Sequence, residues 1–357
     1  MFWLSALVVL YVYAGYPLLA AVWGKTRDRR PRKRRFEPGS WPTLSIIVAA
    51  RNEAARLPGR VANLLDQEYP GPREIIVVSD GSTDDPARAL ARFDARVRLI
   101  EVPSGGKPLA LNAGVAAARG DVLVFADARQ RFAPGALIEL ASNFADPQVG
   151  GATGELILDC ELNPAAAPSV GDGVGLYWKY EKRLRRAESR IWSTMGATGA
   201  IYALRRSLWQ PLPATALLDD VLAPMRAVLA GFRVVFDETA VAYDRASTDA
   251  ATESRRKTRT LAGNYQILAL EPRLLLPFVN PVWLQYVSHK VGRLVVPWAL
   301  IGLLISSAAL ANDGWLYAAA LVLQLLFYGL AALGAWLDRR DGQRMTMKIK
   351  FPLGETR

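Results

Sequence analysis

The chain has 357 residues and a formal net charge of +11, and 51% of its residues are hydrophobic. This length holds one large α/β domain with accessory segments. Cys160 is the only cysteine and His289 the only histidine. The sequence therefore excludes an intrachain disulfide, a cysteine-based metal site and a histidine-cluster zinc site, and it disfavours a Ser-His-Asp triad. An enzyme made from this chain would work with carboxylates, lysine and arginine.

Much of the positive charge directly follows the first apolar segment. The basic residues of this cluster are Lys25, Arg27, Arg29, Arg30, Arg32, Lys33, Arg34 and Arg35. Such clusters bind nucleic acid in some proteins. Beside an apolar span, however, they are typical of the cytosolic side of a membrane and of contacts with anionic lipid head groups. We therefore expect membrane lipids, and no nucleic acid, as the partner of this region.

Three apolar segments are candidates for membrane crossings: Phe2–Trp23, Leu294–Ala311 and Trp315–Leu337. Basic residues follow the first segment, whereas those of a signal peptide precede its apolar core, so we predict a retained anchor. Basic residues also flank the outer ends of the C-terminal pair. With all of these flanks on the cytosolic side, the chain crosses the cell (inner) membrane three times and Lys25 to Arg293 faces the cytosol.

Strand and helix signals alternate between these segments. Apolar strands are predicted at Ser45–Ala50, Glu74–Val78, Val97–Glu101 and Val122–Phe125. The predicted helices between them end at Leu65, run over Pro86–Phe93 and run over Pro108–Arg119. Strands that are apolar almost throughout predict a parallel sheet that helices cover on both faces. The fold class is therefore α/β.

Two later segments, Gly173–Trp192 and Leu274–Val291, have helical patterns of a different character. The first is rich in aromatic and basic residues, and two prolines interrupt the second. Each is either a helix that lies at a membrane interface or a surface helix packed on the domain. The sequence leaves both alternatives open.

Acidic residues follow two of the predicted strands, Asp80 after the second and Asp127 after the fourth. The carboxyl ends of strands in an open α/β sheet face the ligand crevice, so either acid can reach a nucleotide or a metal. For Asp80 the alternative is a turn or a helix N-cap. For Asp127, the second acid of a metal clamp would stand two positions later, where the sequence has Arg129.

Three further motifs carry charge. A Gly-Gly pair precedes Lys107 without the spacing of a P-loop, but a lysine in such a flexible loop can close over a diphosphate. Asp219 and Asp220 begin a predicted helix, where acids stabilise the helix dipole whatever their function. The basic block from Arg255 to Arg259 is either a functional contact or a solvated or membrane-facing helix surface.

The order of these motifs along the chain is informative. Arg-Asn-Glu, Asp-Gly-Ser-Thr-Asp, Gly-Gly-Lys, Ala-Asp-Ala, Gly-Ala-Thr-Gly-Ala, Leu-Asp-Asp and the basic block occur in sequence. This series resembles the membrane-bound family 2 glycosyltransferases, the group that includes cellulose, chitin, hyaluronan and poly-N-acetylglucosamine synthases. The resemblance runs from Trp41 to Arg293 by motifs and beyond that by membrane layout. It implies a GT-A fold, a Rossmann-like mixed and mostly parallel sheet, in a cytosolic domain with transmembrane and interfacial helices.

The resemblance implies a role for each motif. Contacts to the nucleotide sugar would come from Ala50, Arg51, Glu53, Asp80, Lys107, Asp127, Arg256 and Arg259. The acceptor side would be formed by Gly196, Ala197, Thr198, Gly199 and Asp219. Asp220 would be the general base, and Asp127 would bind the divalent metal, Mg²⁺ or Mn²⁺.

The sequence departs from the family pattern at two places. Arg129 replaces the second acid of the Asp-x-Asp element, so metal binding is weaker or takes a different form. The Gln-x-x-Arg-Trp motif of the processive synthases stands here as Arg256-Lys257-Thr258-Arg259-Thr260. The arginine is kept, but the tryptophan that would stack on an acceptor sugar is not, which argues against processive polymerisation.

The sequence thus predicts an inverting glycosyltransferase that moves a sugar from a nucleoside diphosphate sugar, a UDP-sugar, to a glycan acceptor in polysaccharide synthesis. One alternative is the transfer of a single sugar to a lipid-linked acceptor. Another is a catalytically degenerate nucleotide-binding subunit of a membrane exporter. Export or accessory subunits are candidate partners.

The resemblance and the apolar segments together predict the layout of the chain. The anchor would occupy residues 1–24, followed by a basic linker at 25–40 and the GT-A domain at 41–270. Interfacial helices would occupy 271–293, a transmembrane hairpin 294–337 and a basic tail 338–357.

Overall fold

The strands of the chain form one mixed sheet. The computed structural model describes residues 1–158, 171–244 and 250–350. Its strands are β1 (Leu44–Ala50), β2 (Arg73–Asp80), β3 (Arg98–Val102), β4 (Val122–Asp127), β5 (Arg131–Phe132), β6 (Val149–Leu158), β7 (Ile201–Arg205) and β8 (Arg233–Asp244). Within the described residues they lie in the order β3-β2-β1-β4-β7-β6-β8-β5.

The first half of the sheet is parallel, as predicted. β1 pairs in parallel with β2 on one side and with β4 on the other, and β2 pairs in parallel with β3. β7 runs antiparallel to both β4 and β6, whereas β6 and β8 are parallel and the short β5 is antiparallel to β8. The carboxyl ends of β1, β2 and β4 therefore meet at one edge of the sheet, beside the beginning of β7.

Helices cover the sheet and extend away from it. They are α1 (Phe2–Arg27), α2 (Leu57–Leu65), α3 (Pro86–Leu90), α4 (Lys107–Ala117), α5 (Ala136–Ser142), α6 (Gly171–Ile191), α7 (Asp219–Leu229), α8 (Ala250–Leu270), α9 (Trp283–Ala309) and α10 (Trp315–Lys350). Helical turns of the 3₁₀ type add Ala91–Arg96, Asn143–Ala145, Arg206–Leu208 and Pro272–Leu275. The helix predicted over Pro86–Phe93 is thus α-helical only to Leu90 and tightens into a 3₁₀ turn beyond it.

Both faces of the sheet are buried, as its apolar strands predict. Along β1, Ile46 and Val48 lie in the core beneath α2 and α5, whereas Ile47 lies in the core beneath α4 and α7. This alternation follows from the two-residue period of a strand. Each of these buried side chains contributes about 1.5–3 kcal/mol through the hydrophobic effect. The two cores hold the strand ends, and the polar side chains on them, in fixed positions.

Among the residues that the structure describes, three helices are long and apolar enough to cross a membrane: Phe2–Arg27, Trp283–Ala309 and Trp315–Gly334. The first and third agree with the segments predicted from the sequence. The second begins at Trp283, although the sequence predicted a span from Leu294.

The early start of α9 has a physical cause. Ser288, His289 and Lys290 lower the hydropathy of this stretch, so it reads as polar in the sequence. Ser288 and His289 are nevertheless buried, and both find polar partners on other helices. The helix therefore continues without a break through a stretch that the prediction assigned to a separate interfacial segment.

The first of these helices, α1, packs closely along α6. Tyr16 and Ala20 of α1 share a small core with Leu184 and Ala187 of α6. A Cβ atom built on Gly24 would lie only 2.8 Å from the carbonyl oxygen of Ala187, so this approach requires glycine. α6 in turn packs on β8, so it connects α1 to the sheet.

Candidate active site

The ends of three adjacent parallel strands bring the first predicted site residues together. β1 ends at Ala50, β2 at Asp80 and β4 at Asp127. Arg51 and Glu53 lie in the turn after β1, and the guanidinium of Arg51 is 4.0 Å from the carboxylate of Asp80. These residues share the edge at which open α/β sheets bind their ligands.

Asp80 fixes the glycine loop in front of α4. Its Oδ1 accepts hydrogen bonds from the amides of Gly105 at 2.7 Å and Gly106 at 3.1 Å. Gly106 has φ +89°, a backbone conformation that favours glycine. The N-cap of α3 is Asp85, whose carboxylate accepts a backbone hydrogen bond from that helix. Asp85 and not Asp80 therefore caps α3, and Asp80 holds the loop that leads to Lys107.

For the nucleotide-sugar donor that the motif series predicts, Asp80→Ala is expected to raise KM. The substitution leaves the amides of Gly105 and Gly106 without their charged acceptor, so the loop before Lys107 loses its fixed position. Hydrogen bonds to charged groups are worth about 1.5–3 kcal/mol, which corresponds to roughly a tenfold to 100-fold rise in KM. Steady-state kinetics with varied donor measures it. Asp85→Ala is the control: it removes a helix cap at a cost of about 1 kcal/mol and should leave KM unchanged. An unchanged KM in Asp80→Ala would contradict this role.

Lys107 lies among three acids. Its Nζ is 3.0 Å from Asp127 Oδ1, with hydrogen-bond geometry. It is also 3.4 Å from Asp219 Oδ2, which makes an ion pair without that geometry. The third acid, Asp220, is the next residue along α7 and is close enough to act on the charge of Lys107. The cluster joins the end of β4 to the beginnings of α4 and α7.

The charges of this cluster set the protonation of its members. Burial alone lowers the pKa of Lys107, but the carboxylates of Asp219, Asp127 and Asp220 outweigh burial and raise it above its ordinary value. Lys107 is therefore a permanent cation at neutral pH. Burial and the neighbouring Asp219 raise the pKa of Asp220 to about 6, although Lys107 acts in the opposite direction. Such a carboxylate is ionised at neutral pH and is still basic enough to accept a proton.

The loop Gly196–Gly199 lies directly against Asp220. The amide of Gly199 donates to Asp220 Oδ2 at 3.1 Å, and the amide of Ala197 donates to the backbone carbonyl of Asp220 at 2.7 Å. A Cβ atom on Gly199 would lie 3.0 Å from the same carboxylate oxygen, so a larger residue would press on the acid. The structure thus unites the loop with the acid pair, two motifs that stand apart in the sequence.

The sequence over residues 45–210 matches the family described as Glycosyl transferase family 2. This range includes β1, β2, β4 and β7 with the loops that carry Asp80, Lys107 and Asp127. The chain carries a family 2 glycosyltransferase domain. The acid pair at the start of α7 lies beyond the matched range, but its contacts with Lys107 and Gly199 make it part of the same site.

Two curated relatives that are similar to this domain in sequence have different activities. An N-acetylglucosaminyltransferase of Rhizobium meliloti (strain 1021) is 31% identical over 172 residues, which is 46% of this chain and 40% of the relative. A beta-monoglucosyldiacylglycerol synthase of Nostoc sp. (strain PCC 7120) is 33% identical over 129 residues, 34% of this chain and 28% of the relative. The chain thus spans less than half the length of either of these relatives.

One solved structure is similar over almost the whole chain. The mannosyltransferase of Pyrobaculum calidifontis, in complex with GDP-Man and Mn²⁺, has a TM-score of 0.68 and covers 92% of both chains at 24% identity. This similarity establishes the fold of the glycosyltransferase domain, which is GT-A, as the sequence predicted.

Arg129 binds an acidic neighbour. Its Nη2 is 2.7 Å from Oδ2 of Asp244, a buried residue at the end of β8, and Gln130 donates to the same oxygen. The arginine in the position of the second acid of Asp-x-Asp is therefore held in an ion pair, away from Asp127. Only the first acid of the motif remains at the strand end that faces the cluster.

The residues present fit a metal that takes most of its ligands from the substrate. Within the described ranges, no group of three or more His, Cys, Asp or Glu side chains could hold a metal ion. Asp127 offers its carboxylate at the strand end, with Oδ1 bound to Lys107. Mg²⁺ in particular is commonly bound by one or two carboxylates together with substrate phosphates and water, and Mn²⁺ also suits carboxylate ligands. Asp127 is thus the residue that would hold a divalent cation beside a donor diphosphate.

The basic block lies on α8, and one of its arginines contacts the backbone just before the acid pair. Arg259 Nη2 donates to the backbone carbonyl of Leu217 at 3.2 Å, just before Asp219. Arg256 is exposed one turn earlier on the same helix. Of the two predicted donor contacts on α8, Arg259 therefore reaches the backbone that leads into the acid pair.

Tyr202, which no motif marks in the sequence, lies beside the cluster. Its ring is fully buried on β7 and stacks on Phe125 of β4 with 4.6 Å between the ring centroids. Burial, and then the charges of Asp219, Asp220 and Asp127, raise its pKa well above the ordinary value. The phenol is therefore neutral beside the acids of the cluster. The sequence signal that could have identified Tyr202 is a tyrosine within an otherwise mostly apolar strand, Ile201–Arg205.

Proposed function

We propose that the chain is an inverting glycosyltransferase that moves a sugar from a UDP-sugar to the hydroxyl of a glycan acceptor at a membrane. One observation carries this proposal. Asp220, a carboxylate with its pKa raised to about 6, lies in one cluster with Lys107 and Asp127 at the ligand edge of the sheet. A base, a cation and a metal-binding acid are the groups that this transfer needs.

Asp220 is the proposed general base. The acceptor hydroxyl gives its proton to the Asp220 carboxylate while its oxygen forms a bond to the anomeric carbon of the donor sugar. The bond from that carbon to the diphosphate oxygen breaks, and its electron pair leaves with the nucleoside diphosphate. No protein nucleophile takes part, so a single displacement inverts the configuration at the anomeric carbon.

The charge that develops on the leaving diphosphate needs partners. Lys107 supplies a fixed positive charge beside Asp127, and preorganised charges of this kind are a large source of rate acceleration. A divalent cation held by Asp127 would neutralise further negative charge on the diphosphate. In this arrangement Lys107 also keeps Asp127, Asp219 and Asp220 from repelling one another.

The remaining predicted contacts follow the same edge of the sheet. We propose that Ala50, Arg51 and Glu53 border the base of the nucleotide, beside the carboxyl end of β1. Asp80 would contact the nucleotide through the loop that it fixes. The acceptor would approach from the side of Asp219 and the loop Gly196–Gly199.

The proposed base predicts a pH profile. Activity requires the ionised form of Asp220, so kcat/KM should fall as the pH drops below the pKa of about 6. With one titrating base, the decline should be about tenfold for each pH unit below that value. Initial rates between pH 4.5 and 8, with donor binding followed separately over the same range, measure it. A rate that stays constant down to about pH 5 would contradict the assignment.

We also propose that the domain at 41–270 faces the cytosol and that the three apolar helices lie in the cell (inner) membrane. The basic residues that follow α1 support this orientation, because positive flanks favour the cytosolic side. A cytosolic face gives the site access to nucleotide sugars. Cysteine-accessibility labelling at the tip between α9 and α10 tests the orientation: this tip should react only from the outer side.

A second candidate is the transfer of one sugar to a lipid acceptor. The similarity to a beta-monoglucosyldiacylglycerol synthase favours it. So does Thr260, which stands where the processive synthases have a tryptophan. Labelled product separates the two: a ladder on a gel indicates polymer synthesis, and a single lipid-soluble species indicates one addition.

The decisive experiment is a screen of UDP-sugars for hydrolysis and transfer by the purified protein, with and without Mg²⁺ or Mn²⁺ and with membrane lipids present. Release of UDP with at least one donor is the expected result. The screen includes both hexoses and N-acetylhexosamines. Binding of nucleotide without any turnover would instead support a degenerate nucleotide-binding subunit.

A further inference from the structure

The proposed base is held by a loop whose central residue is Thr198. The residues on either side of it, Ala197 and Gly199, donate their amides to the carbonyl and to the carboxylate of Asp220 at 2.7 and 3.1 Å. Thr198 itself does not contact Asp220 through any hydrogen bond of the described residues. Its side chain, only 8% exposed, points the other way.

Two contacts hold Thr198 on the side of the loop that faces away from Asp220. Its amide donates to Oγ1 of Thr153 on β6 at 2.8 Å. Its Oγ1 accepts a hydrogen bond from Nη1 of Arg185 on α6 at 2.6 Å. A small cavity lined by Glu155, Lys182, Arg185 and Thr198 lies on this side of the loop.

Arg185 is itself held in position by a buried ion network. Glu181, one turn earlier on α6, lies 3.8 Å from Arg185 Nε. The same carboxylate group is 2.9 Å from Arg293 and 3.2 Å from His289, both on α9. Despite burial, the close imidazole of His289 and the charges of the two nearby arginines hold the pKa of Glu181 well below its usual range. Glu181 therefore stays ionised and anchors Arg185.

A second acid extends this network to α1. Glu188 Oε1 accepts a hydrogen bond from the hydroxyl of Tyr16 at 2.7 Å and lies 2.8 Å from Nδ1 of His289. Tyr16, Glu188 and His289 are all buried. These contacts join three helices through buried polar side chains. Arg185 is thus at the end of a frame of buried polar contacts that joins α1, α6 and α9, and its guanidinium reaches the loop Gly196–Gly199.

We propose that Arg185 is a positioning residue for the general base, and that it acts through the Thr198 hydroxyl to keep the Gly199 amide on the Asp220 carboxylate. Arg185 touches neither donor nor acceptor in this role. The proposal rests on the proposed function, because it needs Asp220 as the base. In this role the apolar helices α1 and α9 contribute to catalysis, because they carry part of the frame from which Arg185 reaches the loop.

This role has a signature in the pH profile. A backbone amide that donates to a carboxylate favours its ionised form. If the Gly199 amide moves away, the pKa of Asp220 rises further, and the acidic limb of the rate moves to higher pH by roughly one unit. A displaced base also lowers kcat, by roughly tenfold to 100-fold. Donor KM should change by less than about twofold, since the donor contacts lie on the other strands.

The test uses Arg185→Gln, Thr198→Val and the double variant in the full-length protein. Each single variant should lower kcat and move the acidic limb upward. The double variant should be no worse than either single one, because both remove the same contact. Thr198→Ser, which keeps the hydroxyl, should recover most of the rate lost in Thr198→Val. Arg186→Gln is the matched control, because the neighbouring Arg186 binds Glu238 away from the loop.

Several outcomes would overturn the proposal. Effects of Arg185→Gln and Thr198→Val that multiply would show two independent functions. A loss of kcat without movement of the acidic limb, or an equal loss in Arg186→Gln, would show a general structural effect. If Arg185→Gln does not fold, Thr198→Val against Thr198→Ser gives the same decision. Asp220→Asn separates the two levels: full activity of that variant defeats the base itself, whereas an inactive Asp220→Asn with an unchanged limb in Arg185→Gln defeats only this inference.

Discussion

Asp220→Asn is expected to lower the rate of sugar transfer by about 10²- to 10⁴-fold, the usual contribution of a positioned general base. The substitution keeps the size of the side chain and an oxygen that can accept the hydrogen bond from Gly199. It removes only the property of Asp220 that the mechanism needs, which is a carboxylate able to take a proton from the acceptor hydroxyl. Transfer is measured with labelled donor, and donor binding is measured by calorimetry with the nucleoside diphosphate.

Donor binding is the internal control for this variant. Because Asp127 and Lys107 remain, the Kd for the nucleoside diphosphate should change by less than about threefold. Asp66→Asn is the matched substitution elsewhere: Asp66 is an exposed acid at the end of α2, and its loss should leave transfer unchanged. Asp220→Asn should also abolish the acidic limb of the pH profile, because no base with a pKa of about 6 remains. Near-normal transfer in Asp220→Asn would show that another group takes the proton.

The parallel half of the sheet could be predicted because its information is local. Ile46, Ile47 and Val48 form a run that is apolar on both sides, which only a strand covered on both faces explains. The position of Asp80 and Asp127 at strand ends then follows from where such runs stop. For the same reason the strand bounds agree with the prediction to within a few residues.

The second half of the sheet depends on pairing that the sequence does not encode locally. β7 enters between β4 and β6 and runs against both of them, a choice that only the assembled core decides. The acid pair was recognised from its order along the chain, but its contact with Lys107 joins distant segments. Asp244, the partner of Arg129, is also far from it in the sequence. It ends a strand that no motif marked, so the ion pair was visible only in the fold.

The start of α9 illustrates a different limit. A hydropathy pattern scores each residue as if it faced lipid or water, and it therefore rejects a stretch that contains His289. In the fold, that histidine lies between two glutamates from another helix and is 2% exposed. Its polarity is satisfied by partners that a pattern within one segment cannot contain. The buried polar contacts between α9 and α6 were missed for this reason.

Lys107→Met is expected to reduce transfer by about 10²- to 10³-fold, the usual cost of removing one preorganised charge partner. Methionine keeps much of the length of the side chain but has no charge. The leaving diphosphate then loses its cation, and Asp127, Asp219 and Asp220 are left in one cluster without the charge that separates them. Because Lys107 lowers the pKa of Asp220, its removal must raise that pKa above about 6. The acidic limb of the rate should therefore move to higher pH.

The two consequences of Lys107→Met can be measured apart. Saturating acceptor with varied donor gives the loss in kcat/KM, and a pH series gives the position of the acidic limb. Lys107→Arg keeps a cation and should restore the limb to about pH 6, but its larger planar head group should not recover the full rate. A loss of rate in Lys107→Met with an unmoved limb would mean that the lysine serves the diphosphate alone. A moved limb with an unchanged rate on the alkaline side would mean that it serves only the acids. The cluster geometry, with 3.0 Å to Asp127 and 3.4 Å to Asp219, requires both effects.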